Sequence, residues 1–172
     1  QEAWLREFKF YVNEDVLIPR SHLADLLFDQ IDVWISNTDT VHTALDLCTG
    51  SGCLAVLAAQ QFQEATIYAS DISKDALSVC VKNIESYRLT DQIIPTESDL
   101  FSNIDNQFDL IISNPPYVDQ QTMNRLPIEF LKEPQIALAG GTEGIDLIQK
   151  IIIEAPKYLN ANGVLIMEVG RD

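Results

Sequence analysis

The chain of 172 residues has few of the residues that build disulfide frameworks and metal sites. It contains three cysteines, Cys48, Cys53 and Cys80, and two histidines, His22 and His42. An odd cysteine count without a signal-like apolar segment argues against a disulfide framework and favours a reducing cytoplasm. No second Cys pair or nearby His would complete a zinc site around Cys48 and Cys53, so we expect no metal and assign the three cysteines to packing.

Positive charge and long apolar runs are also scarce. The chain has 11 Lys and Arg residues against 26 Asp and Glu residues, a net charge of −15. This balance disfavours binding to naked nucleic acid, whose phosphates need cationic side chains. It suits a basic protein partner, although solubility alone also explains it. No apolar run approaches the roughly 20 residues that span a bilayer, so we expect no membrane partner.

The first part of the chain is predicted to form a hairpin and a helix. Residues 8–12 and 16–18 resemble two short strands around a polar turn, so residues 1–20 are predicted to be an N-terminal hairpin segment. Ser21 is placed to cap a helix with apolar residues at helical spacing, which we expect to end near Asn37.

Beyond residue 42 the patterns of strands and helices alternate, which is typical of βαβ units and a sheet covered on both faces. The predicted strands are 43–48, 65–70, 92–96, 108–113 and 163–169, and the predicted helices are 53–62, 74–87 and 145–159. Pro95 makes the third strand an edge strand. The predicted fold class is therefore α/β with a doubly wound, mostly parallel sheet. Residues 119–143 form a long connection, of the kind that often lies over a site.

Four residues directly follow the predicted strand 108–113, at the end where open α/β sheets bind ligands: Asn114, Pro115, Pro116 and Tyr117. The Asn114 side chain and the Pro115 carbonyl offer two acceptors, which match one planar NH2 group. The prolines keep Asn114 out of the helical region, and Tyr117 offers a flat stacking face. We predict Asn114, Pro115 and Tyr117 as catalytic and all four as substrate-binding. The alternative is a loop where two prolines merely end a strand.

A glycine-containing turn, residues 46–52, lies where the first strand of the sheet leads into a helix. Its glycines allow a ligand to approach the backbone closely, and residues 50–55 fit, weakly, the G-x-G-x-x-G/A pattern of dinucleotide binders. A carboxylate at Asp46 would oppose a pyrophosphate but would suit the ammonium group of S-adenosylmethionine, which carries no phosphate. We therefore predict S-adenosylmethionine as the cofactor.

Further cofactor contacts are predicted at the ends of the next two strands. Asp71 is placed to accept both hydroxyls of a ribose. Asp99 can accept from an adenine amine, with Ile72 and Leu100 as apolar neighbours of the ring. As an alternative, Asp99 is a helix cap or a turn residue.

These segments resemble the HemK/PrmB/PrmC family, the class I S-adenosylmethionine-dependent methyltransferases that modify glutamine side chains in proteins. The Asn-Pro-Pro-Tyr motif is shared with methyltransferases of DNA exocyclic amines, so it indicates the chemistry better than the substrate. Other segments resemble the PrmB branch, which methylates a glutamine of the third large-subunit ribosomal protein. They are residues 16–21, 46–53, 126–130 with 133–134, 144–146 and 168–170. The PrmC branch, which acts on peptide release factors, usually differs after the Pro-Arg pair and in the glycine loop.

The resemblance implies a Rossmann-like fold, a cytoplasmic protein-(glutamine-N5) methyltransferase and a basic ribosomal protein as partner, without direct nucleic-acid readout. It assigns residues 21–172 to an S-adenosylmethionine-binding methyltransferase domain. The implied cofactor-binding residues are Cys48, Thr49, Gly50, Ser51, Gly52, Asp71, Leu100 and Asn114. The target glutamine would lie against residues 114–117. Phe10 and Arg20 would line the substrate entrance, or else pack the hairpin onto the sheet.

The chain departs from the family pattern at both ends. The family's domain usually continues past the fifth strand and follows a helical N-terminal domain, whereas this sequence starts at Gln1 and stops at Asp172. We therefore expect a trimmed domain, incomplete at its C-terminus, whose last strand has an unpaired edge that favours self-association.

The sequence also allows other hypotheses about the function. A trimmed domain that binds the cofactor but is catalytically impaired is one alternative. Two other enzymes are an adenine or cytosine amino-methyltransferase and, more distantly, a nicotinamide-dependent oxidoreductase. The oxidoreductase would leave Asp46 and the residues 114–117 unexplained.

Overall fold

The computed structural model describes residues 1–123, 133–141 and 143–170. The chain begins with an antiparallel pair of strands, β1 (Glu2–Leu5) and β2 (Phe8–Tyr11). The prediction of a hairpin was right, but its pairing of residues 8–12 with 16–18 was wrong. Strand β2 pairs instead with the residues before it, because Arg6 adopts a positive φ of 53° in the tight turn and β1 alternates exposed and buried residues.

The first helix is shorter than its apolar spacing predicts. Helix α1 spans Leu23–Asp29 and is followed by a 3-10 turn at Ile31–Val33. Gln30, at φ −141°, leaves the helical region between them. Ile31 and Ile35 are buried nonetheless, so the apolar spacing predicted burial correctly but not a continuous helix to Asn37. The Ser21 hydroxyl accepts from the Leu23 N–H at 3.2 Å, while His22 occupies the N-cap position.

A five-stranded sheet follows, with strands β3 (Thr43–Leu47), β4 (Thr66–Asp71), β5 (Ile93–Glu97), β6 (Phe108–Ser113) and β7 (Leu159–Met167). Its order is β5-β4-β3-β6-β7, and every pairing is parallel. The predicted fold class and the edge position of the strand with Pro95 are confirmed. Strand β7 begins four residues earlier than predicted, with a register irregularity opposite residues 108–110.

Helices cover both faces of this sheet, as the strand composition predicts. They are α1, α2 (Cys53–Gln61), α3 (Lys74–Ser86) and α5 (Asp146–Glu154), whereas the short α4 (Gln120–Met123) buries none of its residues. One core packs α1, α2 and α3 against the sheet, and the second surrounds Phe101, Phe108 and Ile151 on the other face. Helix α5 ends at Glu154, and a 3-10 turn at Ala155–Lys157, which contains Pro156, follows in place of the predicted continuation to residue 159.

Strand β7 forms the second edge of the sheet. Within the described part of the chain it pairs only with β6, so self-association through this edge stays a prediction. Two predicted features lie outside the described residues, the family-like stretch at 126–130 and the terminal residues 171–172. No helix in the described ranges is long and apolar enough to cross a membrane.

Candidate active site

The carboxyl ends of β3, β4 and β6 meet at one edge of the sheet, where a cleft of about 310 Å³ opens. Because the strands are parallel, the loops that follow them converge here although they are far apart in sequence. The cleft brings together most of the predicted cofactor residues: Cys48, Thr49, Gly50, Ser51, Asp71, Ile72, Asp99, Leu100 and Asn114. Two predicted residues, Asp46 and Gly52, do not line it.

The turn after β3 depends on left-handed backbone conformations. Cys48, Gly50 and Gly52 have φ values of 63°, 56° and 79°. A Cβ on Gly50 would meet no atom within 4 Å, so the backbone there is open to a ligand. A Cβ on Gly52 would lie 2.6 Å from the Cys80 sulfur, so this glycine allows close packing of the turn on α3 rather than contact with a ligand.

Asp46 lies beneath this turn and is fully buried. Its Oδ2 accepts hydrogen bonds from the Thr49 hydroxyl at 2.5 Å and the Ala55 N–H at 2.9 Å. Its Oδ1 has no partner in the described structure. Burial raises the pKa of Asp46 to about 7, against the opposing effect of these two hydrogen bonds. The carboxylate is therefore a cap of the turn, with one oxygen left unsatisfied.

Asp71 holds the turn from the side of β4. Its Oδ2 accepts from the Gly50 N–H and its Oδ1 from the Ser73 N–H, each at 2.9 Å. Burial raises the pKa of this carboxyl. Asp71 also lines the cleft, and a carboxylate has about four acceptor sites, which leaves capacity for ribose hydroxyls. Ile72, 51% exposed, offers an apolar surface beside it.

The charged residues lining the cleft are mainly acidic. In the described structure these are Asp15, Asp71 and Asp99, and the lining includes one cation, Arg20. The Arg20 guanidinium forms a bidentate ion pair with Glu133, at 2.8 and 2.7 Å. The cleft is therefore suited to a cationic ligand and poorly suited to a pyrophosphate.

Residues 15–18 were not predicted to contribute to the site, yet they line this cleft. The sequence predicts a strand for the apolar residues 16–18, and the structure has no strand at these residues. An apolar segment directly before the Pro-Arg pair was the available signal.

A second pocket of about 290 Å³ adjoins the cleft. It is lined by Leu17, Arg20, His22, Asn114, Pro115, Pro116, Tyr117, Val118, Ala137, Leu138 and Glu168. Asn114 and Pro116 line both spaces. A group bound in the second pocket can therefore reach a group bound in the cleft beside the Asn114 side chain.

Two glycines allow the motif loop, residues 114–117, to approach the segment that follows α4 closely. A Cβ on Gly140 would lie 2.6 Å from the Tyr117 Cα, and one on Gly144 would lie 2.5 Å from the Tyr117 carbonyl oxygen. The Val118 N–H also donates to the Leu138 carbonyl at 2.8 Å. The sequence places Gly140 only in the long connection 119–143 and Gly144 only in a family-like segment, because the close approach that requires these glycines is tertiary.

The side chains of the motif differ in how much they are already engaged. In the described part of the chain the Asn114 side chain makes no hydrogen bond, whereas the Tyr117 hydroxyl donates to Glu168 Oε1 at 3.3 Å. Burial and the neighbouring carboxylate raise the pKa of Tyr117, which keeps the phenol protonated. The Asn114 amide is thus available to a ligand.

Phe10 and Arg20 were predicted to line the substrate entrance, and the structure separates them. Arg20 lines both spaces. Phe10 is fully buried and packs against the Tyr87 ring, with centroids 5.7 Å apart. The prediction for Phe10 was wrong because its strand turns this side chain into the core. The alternative, packing of the hairpin, is what the structure has.

All three cysteines are free thiols. Cys53 and Cys80 are in the core, as assigned, and Cys48 packs against the second core; Cys48 and Cys53 also line the cleft. No group of His, Cys, Asp or Glu side chains in the described ranges is arranged to hold a metal ion.

The model of the methyltransferase small domain family matches residues 24–144. This chain belongs to that family. The ribosomal protein uL3 glutamine methyltransferase of Neisseria gonorrhoeae is 47% identical over 99% of this chain, which spans 57% of that relative's length. The resemblance predicted from the sequence is thereby confirmed.

Solved structures of methyltransferases share the fold. The catalytic domain of hMettl16, solved with an RNA hairpin, has a TM-score of 0.69 at 17% identity, with 87% of this chain and 58% of that chain covered. A Thermus thermophilus 16S rRNA methyltransferase, solved with AdoMet and guanosine, has a TM-score of 0.65 at 18% identity, with 97% and 40% covered. At these identities the likeness concerns the fold alone.

Proposed function

We propose that this chain transfers a methyl group from S-adenosylmethionine to the side-chain amide nitrogen, N5, of a glutamine in ribosomal protein uL3. The observation that carries the proposal is the meeting of the two pockets at Asn114, a residue whose amide is available to a ligand. The name of the Neisseria relative supports the choice of acceptor.

The residues of the cleft fit this cofactor. Asp71 would accept the ribose hydroxyls, Asp99 the adenine amine, and Ile72 and Leu100 would flank the ring. The acidic lining suits a ligand with a sulfonium and an ammonium group. Asp46, beneath the turn, has one oxygen without a partner, and a bound cation would favour its ionised form. When bound, S-adenosylmethionine supplies an electrophilic methyl group on a positively charged sulfur.

The motif loop would activate the amide nitrogen, which is a poor nucleophile because its lone pair is delocalised into the carbonyl. Asn114 and the Pro115 carbonyl would accept from both N–H groups, which draws electron density toward nitrogen and stabilises its developing positive charge. Asn114 and the Pro115 carbonyl would hold the nitrogen toward the methyl group that the bound cofactor would supply, with the S–C bonding pair left on sulfur, and one N–H proton would leave to solvent. Orientation can contribute about 7–11 kcal/mol of the barrier reduction.

The net charge of −15 supports a basic protein as the partner, since ribosomal proteins must themselves neutralise RNA phosphates. Such a substrate is made in the cytoplasm, which is where we place the reaction. A peptide release factor and a nucleic-acid amine are the alternative acceptors that the motif allows.

One experiment separates these acceptors. The protein is incubated with methyl-labelled S-adenosylmethionine and, in parallel, with ribosomal protein uL3, a release factor and DNA. We expect label on uL3, located on one glutamine by mass spectrometry. Label on the release factor would assign the chain to the sister activity, and label on DNA alone would overturn the proposal. Cofactor binding by calorimetry without any labelled acceptor would support the binding-only alternative.

A further inference from the structure

We propose that Glu168 is a positioning residue that holds Tyr117 and residues 20–22 in register across the second pocket, and so sets the shape of the space that receives the target glutamine. The inference rests on the proposed function and deepens it. Glu168 follows directly after β7 and lines the second pocket.

Both oxygens of the Glu168 carboxylate are used, and by different segments. Oε2 accepts from the Ser21 hydroxyl at 2.6 Å and from the His22 N–H at 3.0 Å. Oε1 accepts from the Tyr117 hydroxyl at 3.3 Å. One side chain therefore joins the chain entering α1 to the motif loop after β6.

The backbone of Glu168 makes a related contact. Its N–H donates to the Ser113 carbonyl at 3.0 Å, immediately before Asn114. Two residues further on, a Cβ on Gly170 would lie 2.8 Å from Cδ2 of the Tyr117 ring. The ring is thus held at its edge by Gly170 and at its hydroxyl by Glu168, which restrains the face available for stacking on an amide.

A second carboxylate holds the same entering segment. Glu133 pairs with Arg20 through two hydrogen bonds and has only 6% of its side chain exposed. Arg20, Ser21 and His22 are consecutive, so two acidic residues from distant parts of the chain hold three neighbouring residues. Hydrogen bonds to ionised groups are the stronger kind.

These contacts indicate positioning rather than proton transfer. The carboxylate accepts from three donors, and the phenol beside it stays protonated because burial and this carboxylate raise the pKa of Tyr117. A loss of Glu168 should therefore disturb how the glutamine is oriented and leave the cofactor cleft intact. Misplacement by about 1 Å can cost on the order of 100-fold in rate.

The test compares Glu168→Ala, Glu168→Gln and the exposed control Glu85→Gln in the protein with ribosomal protein uL3 as acceptor. For Glu168→Ala we expect kcat to fall roughly 10- to 100-fold, with the affinity for S-adenosylmethionine within about twofold. Glu168→Gln retains one acceptor oxygen and should recover part of this loss. The combination of Glu168→Ala with Tyr117→Phe should cost less than the product of the two single losses. The control should match the parent protein.

A second measurement does not depend on turnover. Removal of the Glu168 charge should lower the pKa of Tyr117, measured by ultraviolet titration against Tyr117→Phe. An unshifted titration, or a kcat unchanged in a folded Glu168→Ala, would overturn the inference. A failure of the proposed function gives another result. The protein without mutations would then label no glutamine, while the pKa of Tyr117 would still shift in Glu168→Ala.

Discussion

The cleft and the second pocket share several lining residues, Arg20 and Asn114 among them, but are built in different ways. The contacts that shape the cleft join neighbours in sequence, such as Thr49 with Asp46, three residues apart, and Gly50 with Asp71, 21 apart. Contacts around the second pocket join Arg20 with Glu133 and Ser21 with Glu168, 113 and 147 residues apart. The turn after β3 is therefore held within one βαβ unit, whereas the second pocket is held by contacts between distant parts of the chain.

This difference predicts separable effects of mutations. The cleft is stabilised largely by backbone donors around buried carboxylates, so changes there should alter stability and cofactor binding. The second pocket is held by pairs of side chains, including an Arg20 side chain that is 42% exposed. Changes there should alter transfer while the cofactor still binds.

The largest expected effect is that of Asn114→Ala. It removes one of the two acceptors proposed for the NH2 group, so we expect the transfer rate to fall on the order of 1,000-fold. Calorimetry should find much of the cofactor affinity intact, because the other cleft residues remain. Near-normal turnover would contradict the proposed mechanism, and equal losses of binding and transfer would remove the distinction between the two sites.

Asp46→Asn tests the role of the buried Asp46 carboxyl through the pH dependence of the free energy of unfolding. Burial raises the pKa of Asp46 from 3.8 to about 7, so the stability contributed by the protonated group is fully present below about pH 4 and is lost as pH rises through 7. The variant does not lose this stability as pH rises. Its free energy of unfolding minus that of the parent should therefore increase by at most about 4 kcal/mol between pH 4 and pH 8. Denaturant titrations at several pH values measure this difference, and calorimetry should find weaker cofactor binding.

Asp109→Asn is the matched control for that experiment. Burial acts to raise the pKa of Asp109, but hydrogen bonds from Asn160, His42 and Thr43 outweigh it and lower the pKa. The stability that its carboxylate contributes is therefore present near neutral pH and lost in acid, so this variant should be less stable than the parent near neutral pH and approach it in acid. The same pH trend in both variants would contradict the assignment for Asp46.

Asp71→Ala should have the smallest effect of the three. Loss of a charged acceptor for the ribose hydroxyls should weaken cofactor binding roughly 10- to 100-fold, and saturating cofactor should restore most of the transfer rate. Calorimetry and initial rates at several cofactor concentrations measure this split. Asp75→Ala, on the exposed surface of α3, is the control. An unchanged cofactor affinity in Asp71→Ala would exclude Asp71 from the site.

The parallel sheet, its covering helices and the cofactor turn could all be predicted from the sequence. Strand β6 was predicted at its observed bounds, because a run of buried apolar residues ends at a proline pair. The wrong predictions concern places where the local backbone conformation ends or turns an element against the apolar spacing. The hairpin turn at Arg6 and the early end of α1 at Asp29 depend on backbone conformations that apolar spacing does not record.

The same distinction between local pattern and tertiary packing applies to the candidate site. The positions of Asp71, Asp99 and Asn114 follow from where strands end, since parallel strands bring their carboxyl ends to one edge. The burial of Phe10 and the roles of Gly140 and Gly144 could not be predicted, because they depend on what packs against each residue. The sequence places residues 168–170 at the end of a predicted strand and in a family-like segment, but the contacts of Glu168 and Gly170 with Tyr117 are visible only in the fold.

The sequence by itself determined the α/β architecture, the family and the place of Asn114 at the end of a strand, because periodicity, glycine placement and proline pairs act through local geometry. Only the tertiary structure decided that Asp46 lies beneath its turn, that residues 15–18 line the cleft, and that Glu133 and Glu168 hold residues 20–22. Hydrogen bonds between residues more than 100 positions apart leave no periodic signal, since their geometry is set by the packing of the elements between them.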